Sequence, residues 1–201
     1  MAKRMLPLLA LSLPLLLLQP SEAAVTGECN SYEREKVNEG YYECLHTDPR
    51  TGLSYLGVGF NLYGYEADTQ LGKVGANYIN IMNGTECLND TQIKELFKLS
   101  MADALECASN FLYKSWSPLT LNAKSAIIDM AFDYHYIGCY PVFPSRGLQD
   151  FVNLRSALSE KPPNYNKAGS ILKDSTWCGQ EPKRCQEAID CITIKEQTMI
   201  N

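Results

Sequence analysis

The sequence predicts an α+β fold, with a small β-bearing lobe near the N-terminus followed by a larger all-helical lobe. Two observations predict it. Tyr41 to Leu62 is rich in tyrosine and in β-branched or apolar residues, and it is split by the turn residues Asp48-Pro49-Arg50-Thr51-Gly52, which is the composition of a hairpin or small sheet. Beyond Gly84 the apolar residues instead recur at three and four positions, the period of helices that bury one face.

The elements follow in order. Met1 to Arg4 carry two positive charges, and Met5 to Leu18 is almost wholly apolar. Ser21 and Ala23 then place small residues where a signal peptidase reads, so residues 1–23 are expected to be an export signal. A membrane anchor needs about 20 apolar residues, and this run is shorter and interrupted by Pro7 and Pro14. The expected product is secreted and extracellular, with no membrane attachment after cleavage.

The first mature helix spans the polar run from Ser31 to Asn38 and closes at Glu39, before Gly40. The hairpin follows, and then a glycine-rich connection from Tyr63 to Gly84. Ile93, Leu96, Phe97, Ala104, Leu105, Ala108 and Leu112 mark the buried face of a long helix, with Asn89 as its cap and Gln92 three residues on. Leu121 to Tyr134 contains Ala126-Ile127-Ile128-Asp129-Met130-Ala131-Phe132, apolar nearly all round, as in the central helix of a bundle. Helical pattern continues over Gln149–Ser159 and Asn166–Lys173, broken at Pro162-Pro163, and Pro182 opens a last helix to about Gln197.

The chain of 201 residues carries a formal charge of −5, and without the leader 16 basic residues face 22 acidic ones. So acidic a surface speaks against nucleic acid as a partner. Eight cysteines, Cys29, Cys44, Cys87, Cys107, Cys139, Cys178, Cys185 and Cys191, all follow the leader. Even number and export favour disulfides over metal thiolates, no Cys or His spacing fits a zinc site, and the pairing stays open. No metal or organic cofactor is expected. The sequons Asn83-Gly84-Thr85 and Asn89-Asp90-Thr91 mark Asn83 and Asn89 as glycosylation candidates. His46 and His135 stand away from any ligand spacing and read as structural, with His46 paired to a neighbouring acid.

Two acids are placed for chemistry. Glu39 closes a helix, and Asp48 lies nine residues later at the turn of the hairpin, so the two could stand on opposite walls of a cleft. Glycoside hydrolysis needs that combination: one carboxylic acid protonates the leaving oxygen and a second carboxylate activates water or attacks the sugar.

At these residues the chain resembles the phage-type lysozymes of glycoside hydrolase family 24. The matching motifs are Glu39-Gly40, Asp48, the glycines of Gly57-Val58-Gly59, the run Met130-Ala131-Phe132, and Trp177, Gln180, Pro182 and Arg184 leading into the last helix. The order and spacing agree apart from one extra residue in the turn, and the resemblance covers about Ser31 to Cys191.

The resemblance implies a lysozyme-like α+β domain over 24–201 with a cleft between its lobes; a monomer is the default expectation for a chain of this kind. It implies an inverting endo-N-acetylmuramidase acting on peptidoglycan for antibacterial or digestive ends. Glu39 would be the general acid, Asp48 the base or water holder, and Arg184 the partner that orients Glu39. Asp133, directly after the central run, and Gln180 are expected to line the same cleft. The chain departs from the family where Tyr55 replaces a threonine that helps to hold the water. The extra turn residue leaves Ser54 as the alternative cleft group, since a slip of one residue exchanges strand faces. Phe60 stands where the family has a histidine, and it is expected to be structural. The alternative that Tyr55 raises is a lysozyme-like glycan-binding or matrix protein without turnover. Chitin as the substrate would use the same machinery.

Overall fold

The computed structural model describes residues 27–49, 51–64, 66–134 and 147–194. The expected leader, His135, Cys139 and the expected end of the last helix lie outside these residues.

A single turn of 3-10 helix at Glu28–Asn30 leads into α1 (Tyr32–Glu39), capped by Ser31, whose hydroxyl accepts the Arg34 N–H. Gly40 takes φ 83°, a left-handed conformation that favours glycine, and ends the helix there. The antiparallel sheet then runs β1 (Tyr42–Thr47), β2 (Ser54–Gly57) and β3 (Phe60–Asn61), in sequential order. Tyr55 pairs with His46 across β1 and β2, and Ser54 pairs with Thr47.

The stretch expected as a connection holds two short helices, α2 (Ala67–Lys73) and α3 (Tyr78–Met82). Glycines at 72, 75 and 84 dilute the period in sequence, while Ala67, Leu71 and Ile81 are buried and supply the packing that holds the short helices.

The helical lobe matches its expected elements closely. Helix α4 (Asp90–Leu112) begins with the full capping box, Asn89 accepting the Gln92 N–H while the Gln92 side chain accepts the Asn89 N–H. Helix α5 (Leu121–Asp133) is buried without a break from Ser125 to Phe132 and packs on α4. Helix α6 (Val152–Leu158) starts three residues later than the pattern suggested, because Leu148–Asp150 forms a 3-10 turn first. Helices α7 (Tyr165–Lys173), α8 (Thr176–Gln180) and α9 (Pro182–Thr193) complete the described chain, with α9 against both α5 and α7. The fold is thus α+β with a small sheet lobe. Among the described residues no helix is long and apolar enough to cross a membrane.

Three disulfides tie the lobe together: Cys29–Cys191, Cys44–Cys87 and Cys178–Cys185. Cys107 is also disulfide-bonded. The first joins the N-terminal turn to α9, the second joins β1 to the residues before α4, and the third joins α8 to α9. Asn83 and Asn89 are both exposed. His46 stacks face to face on Tyr42, with ring centroids 4.0 Å apart, so ring packing takes the place of the acid pairing expected for it.

Candidate active site

The site is built around one guanidinium. Pro182 starts α9, and two residues later Arg184 points inward with 5% of its surface exposed. A buried cation needs anionic partners, and two helices supply them in pairs spaced i,i+4, the spacing that places side chains on one helix face. Helix α1 contributes Glu35 and Glu39, and α5 contributes Asp129 and Asp133.

The hydrogen bonds are divided among the three guanidinium nitrogens. Nε and Nη2 of Arg184 both donate to Asp129 Oδ1, at 3.0 and 2.7 Å. Nη2 also donates to Glu35 Oε2 at 2.9 Å, and Nη1 donates to Asp133 Oδ1 at 2.7 Å and to Glu39 Oε1. Asp133 Oδ2 accepts from Trp177 Nε1 at 2.7 Å. The Cys178–Cys185 bridge joins the residues that follow Trp177 and Arg184, and so fastens both donors of this network to each other.

Electrostatics differ sharply around the ring. Burial pushes the Glu39 carboxyl above its usual range, and this outweighs the lowering by Arg184, with Asp133 and Asp129 adding to the rise. Burial and then the neighbouring Asp129 push Glu35 much further up, against the pull of Arg184. Burial works against the charge on Arg184, but Asp129, Glu39, Glu35 and Asp133 hold it well above its ordinary value.

The sheet supplies the opposite side. Gly57 and Gly59, at φ 61° and 65°, turn the chain from β2 into β3. The position of Gly59 has a second cause: a Cβ there would stand 2.9 Å from Glu39 Cγ. Tyr55 is half-buried, and its phenol is raised by burial and then by the charges of Glu39 and Asp48. Asp48 opens the hairpin turn. Its N–H donates to the Leu53 carbonyl at 2.9 Å, its carbonyl accepts from Gly52 N–H at 2.8 Å, and its Oδ2 accepts from the Thr51 hydroxyl at 3.1 Å.

The expected site residues are therefore distributed as follows. Glu39, Arg184 and Asp133 are in direct contact, and Tyr55 lies within the field of Glu39 and Asp48. Ser54 is buried, and its hydroxyl is hydrogen-bonded to Thr47 at 2.9 Å; the extra turn residue does not bring it to the cleft in place of Tyr55. Gln180 is exposed and lines a cavity of about 980 Å³ together with Tyr134, Asp150, Phe151 and Thr176. Phe60 is buried in the core, consistent with a structural role.

Sequence reasoning missed Glu35 and Asp129. Asp129 carried a signal, being an acid in the middle of a helix otherwise apolar on all sides, where an unpaired charge is not tolerated. Glu35 carried only its i,i+4 spacing to Glu39. Among the described residues no group of His, Cys, Asp and Glu could hold a metal ion, and the four carboxyls converge on a guanidinium instead.

No family model matches the chain, and no curated protein matches it.

Proposed function

We propose that this chain is a secreted muramidase of the phage-type lysozyme kind, cutting β-1,4 glycosidic bonds of peptidoglycan with Glu39 as the general acid. The observation that carries the reading is the state of Glu39. A carboxyl held above its usual range by burial, and aimed by one guanidinium N–H, keeps its proton to a higher pH than a solvated acid and can deliver it to a leaving oxygen.

Asp48 provides the second group. It is only partly buried, and its position is fixed by the closed turn around it. It would hold or deprotonate the attacking water on the far side of the sugar, with Tyr55, within the field of both carboxyls, in place of a smaller hydroxyl. Inverting hydrolysis follows if water enters opposite Glu39. The 980 Å³ cavity beside Gln180 offers room for parts of a branched polymer beyond the bond that is cut. Export, suggested by the N-terminal leader, and the disulfides support work outside the cell.

A second reading is favoured by Tyr55. A phenol in place of a small hydroxyl near both acids could occupy the space of the nucleophilic water and leave a glycan-binding protein without turnover. Cell-wall clearing from about pH 4 to 8 by the wild type and by Glu39→Gln separates the two, since loss of a general acid costs at least about 10² in rate. Clearing by the wild type alone supports the hydrolase. Binding to wall fragments without clearing supports the second reading, and release of chitin oligomers in place of muropeptides would change the substrate while keeping the chemistry.

A further inference from the structure

Behind the Arg184–Glu39 contact lies a pair of acids that hydrolysis does not require. Glu35 is fully buried and Asp129 is 2% exposed, and both accept from the same nitrogen, Nη2 of Arg184, at 2.9 and 2.7 Å. Nη2 has two hydrogens and can serve one oxygen with each, but the two carboxyls are also within hydrogen-bonding reach of each other, and two such groups repel if both are ionised. Glu35 Oε1 is buried and meets no hydrogen-bond donor among the described residues. An ionised carboxylate spreads its charge over both oxygens and needs donors at each, whereas a neutral acid does not.

We infer that Glu35 and Asp129 hold one proton between them, and that the single negative charge of this pair offsets part of the Arg184 charge that would otherwise lower Glu39, making both acids positioning residues for the general acid. The inference rests on the proposed role of Glu39. Burial and Asp129 also favour the protonated form of Glu35.

Among the described residues, the charged and titratable groups that act on Glu39 are Glu35 on α1, Asp129 and Asp133 on α5, and Arg184 on α9, while Tyr55 on β2 feels both Glu39 and Asp48. Arg34, next to Glu35 in sequence, is paired away with Glu187 at 3.0 Å. Among the described residues Arg184 is thus the cation that acts on this group. It can neutralise Glu39 only to the extent that the other carboxyls leave its charge unclaimed.

A shared proton makes an unusual prediction about variants. Glu35→Gln leaves Asp129 with the one charge, and Asp129→Asn lets Glu35 ionise and take it over, so each single variant keeps the pair at one negative charge. Only the double variant removes it. The titration of Glu39 then falls by about one pH unit, as expected for the loss of one charge a few ångströms away in a partly screened site.

The readout is the infrared carboxyl band of the full chain during a pH titration, with the Glu39 contribution identified as the part lost in Glu39→Gln. The expected result has three parts. At neutral pH the wild type shows a protonated carboxyl band that Glu39→Gln leaves in place, a second band distinct from that of Glu39, which Glu35→Gln removes. The Glu39 midpoint is the same in both single variants. It is lower in the double variant, and the basic limb of the clearing profile moves down with it.

The absence of the second band in the wild type overturns the shared proton. A midpoint shift in Glu35→Gln as large as in the double variant, or none in the double variant, overturns the control of Glu39. The wild-type band and Glu35→Gln keep the test decisive if the double variant does not fold. A wild type that shows these titrations but clears no cell walls refutes the proposed function and leaves the carboxyl pair standing.

Discussion

Gly59→Ala tests the link between backbone and acid, because the same substitution at Gly57 supplies its control. Both glycines sit in the left-handed region, at φ 61° for Gly57 and 65° for Gly59. Alanine at either costs about 1–2 kcal/mol of backbone strain, offset in part by the smaller freedom of the unfolded chain, worth about 0.4–1 kcal/mol. Stability should therefore fall by about 1 kcal/mol in each.

The surroundings differ. At Gly57 the added methyl meets Ile93 Cγ2 at 3.5 Å, an ordinary contact. At Gly59 it meets Glu39 Cγ at 2.9 Å and both Cδ and Oε2 at 3.0 Å. Glu39 must then retreat by about half an ångström, and it is held on its other side by Arg184. A misplacement of about 1 Å can cost 10²-fold in rate, so half of that predicts a loss of about 10-fold. Urea unfolding and wall clearing measure the two effects separately. The expected pattern is similar midpoints for the two variants and a clearing defect in Gly59→Ala alone. Equal clearing by both would refute the idea that Gly59 is a glycine for the sake of Glu39.

The remaining predictions concern pH, cross-links and the tryptophan. Glu35 and Glu39 titrate higher in the folded chain than in the unfolded one; their contribution to stability is full below the ordinary carboxyl range and is lost as pH rises through the raised values. The exposed Asp90 and Glu160, lowered by hydrogen bonds from Lys94 and Lys167, act in the opposite direction. Glu35→Gln should therefore gain melting temperature relative to the wild type as pH is raised from about 4 to 9, and a difference that stays flat would contradict the burial argument. Replacing Cys29 and Cys191 by serine opens a closure of 162 residues and should cost up to about 5 kcal/mol in denaturant unfolding. Opening Cys178–Cys185, a closure of 7 residues, should cost about half as much but reduce clearing more, because Trp177 and Arg184 adjoin it. Trp177→Phe removes the donor to Asp133 Oδ2 from a buried position and should destabilise by about 2–4 kcal/mol; a loss under 1 kcal/mol would mean that water replaces the indole.

What was legible in the sequence follows from the range of the forces involved. Helices α4 and α5 were legible because period and caps are local: Asn89 and Gln92 define a start without reference to the rest of the chain. Helices α2 and α3 were not, since seven and five residues carry too little pattern and depend on packing of Leu71 and Ile81. The Cys29–Cys191 pairing was illegible for a similar reason, as the two cysteines stand 162 residues apart and only the fold brings them together.

The site divides along the same line. Glu39, Asp48 and Arg184 are tied to punctuation that sequence does show: a helix-ending glycine, a turn and a helix-opening proline. Glu35 and Asp129 have no punctuation near them, and their meaning depends on a cation 149 and 55 residues away. One part of that meaning could still have been read locally. An aspartate inside Ala126-Ile127-Ile128-Asp129-Met130-Ala131-Phe132 must find a buried partner, because its neighbours leave it no path to water. Of arginine and lysine, only the planar guanidinium can serve four carboxyls at once. The requirement for Arg184 was therefore written on α5 as well as on α9, and replacing Arg184 by lysine should leave the Glu35–Asp129 pair and Glu39 competing for one ammonium that cannot reach them all.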